Sequence, residues 1–193
     1  MPRWWFDTDA GGGWLGASGS HLVDQIIAWL GPFDSLSAAL PVVSDRQNVA
    51  EDSYVLRFRM VNGAEGVLQQ TAGSWGPSAT MWRVAGTHGT VWAENGVVRV
   101  ADKAGTRELP VTDDLALPEP PDPEGADSSR RFSHLELGPY TRLTQALRAL
   151  LDGRDPQTSV ALPTFQDGVA TMRVLDAIRH SAARGGELAR IRT

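Results

Sequence analysis

Three consecutive glycines followed by a histidine are the residues of this chain whose types and spacing could do chemistry. Gly11–Gly13 stand directly before a predicted helix, and His21 lies within that helix. Because glycine has no Cβ, such a turn lets the backbone approach a ligand closely and leaves the first N–H groups of the helix open to oxygen ligands. A histidine beside such a turn can move a proton near neutral pH. We therefore take His21 as the candidate catalytic residue.

The helix that must position His21 is predicted over residues 14–30. Its apolar side chains follow the spacing of one buried stripe, and His21 lies roughly opposite that stripe. Gly31-Pro32 ends the helix. The stripe consists of Leu22, Val23, Ile26, Ile27 and Leu30.

Five further residues are candidates for substrate binding, because they lie in the glycine turn or on the helix side that carries His21. They are Gly12, Gly13, Trp14, Ser18 and Asp24. Each also has a purely structural interpretation. The glycines can form a tight turn that packs two elements together, Asp24 can be a solvated or paired carboxylate, and His21 can make a structural hydrogen bond. Tryptophans are also more often core residues than ligand platforms.

Short strands joined by tight turns are predicted over residues 34–110. Side chains between 54 and 60 alternate in the way that is typical of a half-buried strand. Asn62-Gly63 and Asn95-Gly96 are signals for two-residue hairpins. Further turn candidates are Thr87-His88-Gly89 and Lys103-Ala104-Gly105. The pattern predicts an antiparallel meander that forms a mostly antiparallel open sheet.

Two helices are predicted towards the end of the chain, after a loop or linker over 110–130 that is rich in proline and acidic residues. The first helix runs from Pro139 to Gly153. The second begins after the N-cap Thr164, which has an acidic residue three positions on, and ends at Gly185-Gly186.

The fold that these elements predict is α+β, with the helices packed on one face of the sheet. The chain of 193 residues is long enough for one compact domain, so we expect a single domain over 1–193. Val55, Val61, Val67 and Val91 leave few strand positions clearly polar on both faces, so the uncovered sheet face is expected to mediate self-association.

Composition excludes several classes of protein. Hydrophobic residues make up 41% of the chain and charged residues 21%, which is typical of globular domains. The net charge is −5 and no basic block stands out, so we expect no nucleic-acid partner. No apolar stretch approaches the ~20 residues that span a bilayer, and the start has no signal-peptide pattern. The absence of cysteine suits the cytoplasm, and acid pairs such as Asp113-Asp114 show no pattern of metal ligands.

Three segments in order resemble the C-terminal domain of the glucose–fructose oxidoreductase/inositol dehydrogenase/MocA (Gfo/Idh/MocA) family. Gly11–Gly13 followed by His21 resembles the opening of that domain's main helix. Gly86–Val91 resembles a hairpin late in its sheet, and Thr164–Ala183 resembles its closing helix. The resemblance covers nearly all of this chain but only half of a typical member. It implies a dihydrodipicolinate-reductase-like domain whose free sheet face packs against a second copy in a homo-oligomer.

Members of this family are two-domain, NAD(P)-dependent oxidoreductases, so the resemblance implies a sugar, a polyol or a related hydroxy compound as substrate. Their N-terminal Rossmann domain, with its G-x-G-x-x-G fingerprint, has no counterpart in this sequence. Gly11–Gly16 is rejected as a nucleotide site because no strand–turn–helix context precedes it. NAD or NADP is therefore expected on a separate Rossmann domain, and none on this chain alone.

Two functions stay open. In the first, the domain binds the sugar or polyol and His21 transfers a proton, while a nicotinamide on another domain exchanges hydride. Ala17 stands four residues before His21, where the family has its catalytic aspartate, so only His21 of the family's Lys/Asp/His set is present. In the second, the chain is a non-catalytic assembly or small-ligand-binding module from a truncated gene.

Overall fold

The structure, a computed structural model, describes residues 3–45, 50–77, 79–113, 115–119, 132–156, 158 and 161–191. The chain divides into two compact units, Met1–Gly76 with Pro163–Thr193 and Pro77–Leu162. Each unit has its own four-stranded sheet. The division into two sheets differs from the single meander that the turn signals indicated, and the expectation of one domain over 1–193 stays a prediction.

The described elements confirm the α+β class, and every strand pair in both sheets is antiparallel. No described helix is long and apolar enough to cross a membrane. In chain order the elements are a 3-10 turn Arg3–Phe6, a π-helical turn Leu15–Gly19, α1 Ser20–Leu30, β1 Phe33–Ala39, β2 Ser53–Met60, β3 Glu65–Thr71, β4 Met81–Gly86, β5 Gly89–Glu94, β6 Val97–Asp102, β7 Gly105–Leu109, α2 Ser133–Leu151, α3 Phe165–Ala183 and β8 Ala189–Arg190.

The helix predicted over 14–30 is present but begins differently. Its first five residues, Leu15–Gly19, form a π-helical turn, and α1 continues from Ser20. The apolar stripe faces the core as predicted, since Val23 and Ile26 are buried and the other three stripe residues pack against the same cluster. Gly31, with a φ of +86°, ends the helix as its position indicated.

The sheet of the first unit has the strand order β3-β2-β1-β8. Side chains of β2 alternate as the sequence predicted: Tyr54, Leu56 and Phe58 are buried, while Arg57 and Arg59 are exposed. The buried face joins α1 and α3 in one hydrophobic core, so the helices of this unit cover one face of its sheet. Leu15, at the start of the helix, is part of that core and anchors this end of the helix.

The turn signals differ in how well they predicted the loops. Asn95 and Gly96 both have positive φ, 51° and 78°, and form the expected two-residue hairpin between β5 and β6. At Asn62-Gly63 only Gly63 has positive φ, and the Met60 N–H donates to the Ala64 carbonyl at 2.8 Å. Three residues, 61–63, therefore separate the hydrogen-bonded Met60 and Ala64, so the turn is not a two-residue hairpin. The two other turn candidates join β4 to β5 and β6 to β7.

The prediction that a helix opens at Pro139 is wrong, because α2 begins at Ser133 and Pro139 lies inside it. Proline is favoured in the first turn of a helix, but it is also tolerated further in at the loss of one backbone hydrogen bond. The end at Gly153, with a φ of +70°, is confirmed. Of the proline-rich loop, 110–113 and 115–119 contain no helix or strand, and the rest lies outside the described residues.

The closing helix α3 begins with the capping box that the sequence indicated. The Thr164 backbone N–H donates to the Asp167 carboxylate at 2.6 Å, and so does its hydroxyl at 2.7 Å. Its apolar positions divide between two environments. Leu175 and Ile178 are buried in the core, whereas Phe165 and the apolar residues one and two turns later are exposed.

Candidate functional site

The glycine turn before α1 is closed by backbone hydrogen bonds. Gly11 donates to the Thr8 carbonyl at 3.1 Å, Gly12 to the Asp7 carbonyl at 2.8 Å and Gly13 to the Trp5 carbonyl at 2.9 Å. The sequence predicted that the first N–H groups of the helix are open to oxygen ligands, and this is wrong for Trp14 and Leu15, whose N–H groups donate to Glu51. The short segment before the turn folds back over it and uses its donors, which the spacing of the glycines could not show.

The absence of a side chain is what lets this turn pack so closely. A Cβ at Gly12 would overlap the backbone carbonyl oxygens of Trp4 and Asp7, and a Cβ at Gly13 would overlap the carboxylate of Glu51. Gly13 also has a φ of +106°, which favours glycine. The sequence allowed two roles for the glycines, ligand binding and close packing of two elements. The structure shows the packing role.

Glu51 is the residue that holds the start of the helix, and sequence reasoning missed it. Its carbonyl accepts from the Trp14 N–H at 2.8 Å, and its carboxylate Oε1 accepts from the Leu15 N–H at 3.1 Å. Burial raises the pKa of Glu51, while the two nearby backbone N–H groups and the charge of Arg179 act in the opposite direction. Glu51 lies 36 positions after Leu15, so no local pattern points to it.

The neighbouring carboxylate, Asp52, is buried and fixes the loop that follows β1. It accepts from the Val43 N–H at 2.8 Å, from the Ser44 N–H and hydroxyl at 3.0 and 2.6 Å, and from the Ser53 hydroxyl at 2.9 Å. Burial opposes ionisation of Asp52, but these hydrogen bonds outweigh it and hold the pKa well below its usual range.

The predicted site residues on α1 and its first turn do not converge on one point. His21 is exposed, and its ring makes no hydrogen bond or ion pair with a described residue. The Ser18 hydroxyl donates to the Gln70 side-chain carbonyl at 2.6 Å, which the Tyr54 hydroxyl also contacts. Asp24 accepts from Thr171 of α3 at 3.3 Å. Ser18 is therefore tied to the sheet and Asp24 to α3, whereas the exposed imidazole of His21 has no partner among the described residues.

A pocket of about 620 Å³ opens in the first unit beside the glycine turn. We call it the tryptophan pocket. Of the predicted site residues it includes Gly13 and Trp14, whereas His21, Ser18 and Asp24 lie outside its lining. Trp14 stands edge-on to Trp5, with ring centroids 5.9 Å apart. The lining residues are Trp5, Phe6, Gly13, Trp14, Val43, Ser44, Asp45, Ala50, Glu51, Asp52, Ala72, Gly73, Ser74 and Trp75.

The described residues do not fit a dinucleotide. A pyrophosphate cradle needs free N–H groups at a strand–turn–helix junction, and such junctions lie at the carboxyl ends of parallel strands, where the strand order of the sheet reverses. Here the N–H groups of Gly11–Gly13 are all used, and the strand pairs are all antiparallel. No group of acidic residues and histidines among the described residues could hold a metal ion.

Comparison with known proteins agrees on the kind of domain. Residues 1–92 match the family model described as the GFO/IDH/MocA C-terminal domain. No curated protein matches the sequence significantly.

Solved oxidoreductases share the fold of the whole chain. Levoglucosan dehydrogenase in complex with NADH and levoglucosan is 21% identical with a TM-score of 0.72, covering 98% of this chain and 53% of that one. An oxidoreductase domain protein from Kribbella flavida is 21% identical with a TM-score of 0.69, covering 100% and 55%. An oxidoreductase from Agrobacterium radiobacter in complex with NAD+, L-tartaric acid and magnesium is 19% identical with a TM-score of 0.68, covering 92% and 48%.

The chain thus spans about half the length of the structures that it matches. At these identities the likeness shows the fold, while the segment that the family model matches carries the glycine turn, α1 and strands β1–β3 of the first sheet. Residues 1–92 thus match the model of the GFO/IDH/MocA C-terminal domain, and the chain as a whole has the fold of solved oxidoreductases.

Proposed function

We propose that this chain is the substrate-binding domain of an NAD(P)-dependent oxidoreductase that acts on a sugar, a polyol or a related hydroxy compound. The observation that carries the proposal is the free imidazole of His21 on a helix whose start is rigidly held, in a fold shared with dehydrogenases. Levoglucosan dehydrogenase, which binds NADH and levoglucosan, supplies the class of substrate by similarity.

His21 is the proton-transfer group in this proposal. Both of its ring nitrogens are without partners among the described residues. The unprotonated nitrogen can therefore accept the proton of a substrate hydroxyl while the carbon that carries the hydroxyl is oxidised. Two hydrogen bonds hold the π-helical turn that precedes His21: Glu51 accepts from the Leu15 N–H, and Gln70 accepts from the Ser18 hydroxyl. The position of His21 on the helix is therefore fixed. Ala17 supplies no carboxylate to assist His21.

The nicotinamide has to be held by another domain, because the glycine turn has no free N–H groups for a pyrophosphate. Binding of NAD or NADP, hydride exchange and the identity of the substrate therefore belong to a larger assembly. This chain alone is proposed to be inactive. Its location in the cytoplasm and its self-association through a sheet face stay predictions as well.

A non-catalytic assembly or small-ligand-binding module is the second candidate. The specific observation in its favour is Ala17, which removes the carboxylate of the family's catalytic set. Under this function His21 would be an ordinary surface histidine.

The experiment that separates the two begins with the intact mass of the native protein, which shows whether a nucleotide-binding domain is present. Polyol-dependent reduction of NAD+ or NADP+ is then measured on that native protein, on His21→Ala and on His88→Ala. His88 is an exposed histidine in the turn between β4 and β5, so it is a matched control. The enzymatic proposal expects activity that falls about 10²–10⁴-fold in His21→Ala only. Equal activity in both variants would remove His21 from the mechanism, and no activity with any polyol would favour the second candidate.

A further inference from the structure

We infer that the tryptophan pocket is a binding site for a neutral, polyhydroxylated ring, at a position separate from His21. His21 does not line this pocket, so the inference goes beyond the proposed function and does not depend on it. The volume of about 620 Å³ lies in the range of small-molecule sites, and the whole lining comes from the first unit.

Aromatic faces are the first part of the argument. Four of the lining residues are aromatic: Trp5, Phe6, Trp14 and Trp75. Trp75, in the loop after β3, is fully exposed, whereas large aromatic side chains usually lose most of their surface on folding. A sugar or cyclitol ring has an apolar C–H face that can cover such a side chain, and its hydroxyl groups remain free to make hydrogen bonds at the ring edge.

A carboxylate with spare hydrogen-bonding capacity is the second part. An ionised carboxylate accepts about four hydrogen bonds. Among the described residues, only the Leu15 N–H and the backbone N–H of Glu51 itself support the Glu51 carboxylate. Because burial raises the pKa of Glu51, added donors would stabilise its ionised form. Ring hydroxyls are donors of the right kind.

The balance of charge favours a neutral ligand over an organic cation. Glu51 already faces the positive charge of Arg179, so it is not an isolated anion. Asp52, the other buried carboxylate of the pocket, is fully used by donors from Val43, Ser44 and Ser53. Neither group therefore requires an ammonium partner, while both the aromatic faces and the free acceptor positions suit a polyol.

The lining residues indicate a separate binding site and not the reacting position. Gly13 lines the pocket, whereas His21, eight residues later and exposed, does not. A ring held by the lining residues would therefore be a ligand of this pocket in its own right.

The test is titration of the 193-residue chain with levoglucosan, D-glucose, L-sorbose and myo-inositol. Binding is measured by calorimetry and by tryptophan fluorescence. Binding in the millimolar range or tighter is expected for at least one of them. Glu51→Gln should weaken it about tenfold, since a hydrogen bond to a charged group is lost. Trp75→Ala should weaken it about threefold or more, and its exposed side chain can be removed without disturbing the core. Trp29→Ala, a half-exposed tryptophan on α1 outside the pocket, is the matched control and should change nothing.

Three outcomes would overturn the inference. One is that none of the four compounds binds at high millimolar concentration. Another is that the same compound binds equally well to the wild type and to Trp75→Ala and Glu51→Gln. The third is that choline binds in place of the neutral compounds, which would assign the pocket to a cation. None of these results bears on His21, whose role is decided by the separate turnover assay.

Discussion

The glycine turn and the exposed side of α1 are adjacent in sequence but opposite in character. In the turn, the N–H groups of Gly11–Gly13 are all used, and both Gly12 and Gly13 are buried. Six residues after the π-helical turn begins at Leu15, the chain reaches His21, which is exposed and contacts no described polar group. The difference shows that the turn is a packed structural element, while His21, the proposed proton-transfer group, has no polar partner among the described residues.

The largest effect expected from this difference is that of Gly13→Ala. The new Cβ would overlap the Glu51 carboxylate, and φ is +106°, so we expect a loss of about 3 kcal/mol or more in the free energy of unfolding. Urea unfolding measures it. Gly63→Ala is the matched control, because it has a φ of +88° with open space around it and should cost only about 1–2 kcal/mol. Equal losses in both variants would show that contact with Glu51 is unimportant.

Asp52→Asn should have the next largest effect, about 2 kcal/mol near neutral pH, because several hydrogen bonds to a charged group are lost. The folded pKa of Asp52 lies below its unfolded value, so its contribution is complete above about pH 4 and is lost as the pH falls through the folded pKa. The gap in stability between wild type and Asp52→Asn should therefore narrow towards acid pH.

For Glu51→Gln, the difference in stability from the wild type should change with pH in the opposite direction. Because burial raises the pKa of Glu51, its ionisation costs stability as the pH rises through the unfolded value. The gap between wild type and Glu51→Gln should therefore widen towards acid pH. Parallel slopes for the two variants in urea unfolding at several pH values would contradict the different environments that the structure gives them.

Ser18→Ala tests the hydrogen bond between the π-helical turn and the sheet, and we expect a smaller loss of stability from it. It removes the 2.6 Å hydrogen bond to Gln70, while the Tyr54 hydroxyl still contacts the same oxygen. We expect a loss of about 1 kcal/mol in thermal or urea unfolding. A loss as large as that of Gly13→Ala would mean that Ser18 is part of the rigid scaffold.

His21→Ala should have the smallest effect on stability, within about 0.5 kcal/mol, since an exposed side chain without partners contributes little. The same unfolding measurement checks it. A substantial loss would show that the imidazole is a structural group and would remove the basis for its freedom to transfer a proton.

Local features of the fold could be predicted from the sequence, and contacts between distant residues could not. The stripe on α1, the Asn95-Gly96 hairpin and the capping box at Thr164 each depend on residues a few positions apart, and all three are confirmed. The role of Glu51 depends on a partner 36 positions away. The first N–H groups of the helix were expected to be open to a ligand, because nothing local shows that the distant Glu51 accepts from Trp14 and Leu15.

The short strand β8 has a consequence for the order in which the molecule folds. It pairs with β1, and the Arg190 side chain contacts Asp34 across 156 positions of sequence. The hairpins of the second unit join strands that are direct neighbours in the chain, so they can form quickly and independently. Forming the β1–β8 pair instead brings together two segments that are far apart in sequence, which has a large entropic cost. The contacts of the first unit compensate this cost only when most of them have formed. We therefore expect the last strand of the chain to complete the first sheet late in folding, after β1–β3 have paired.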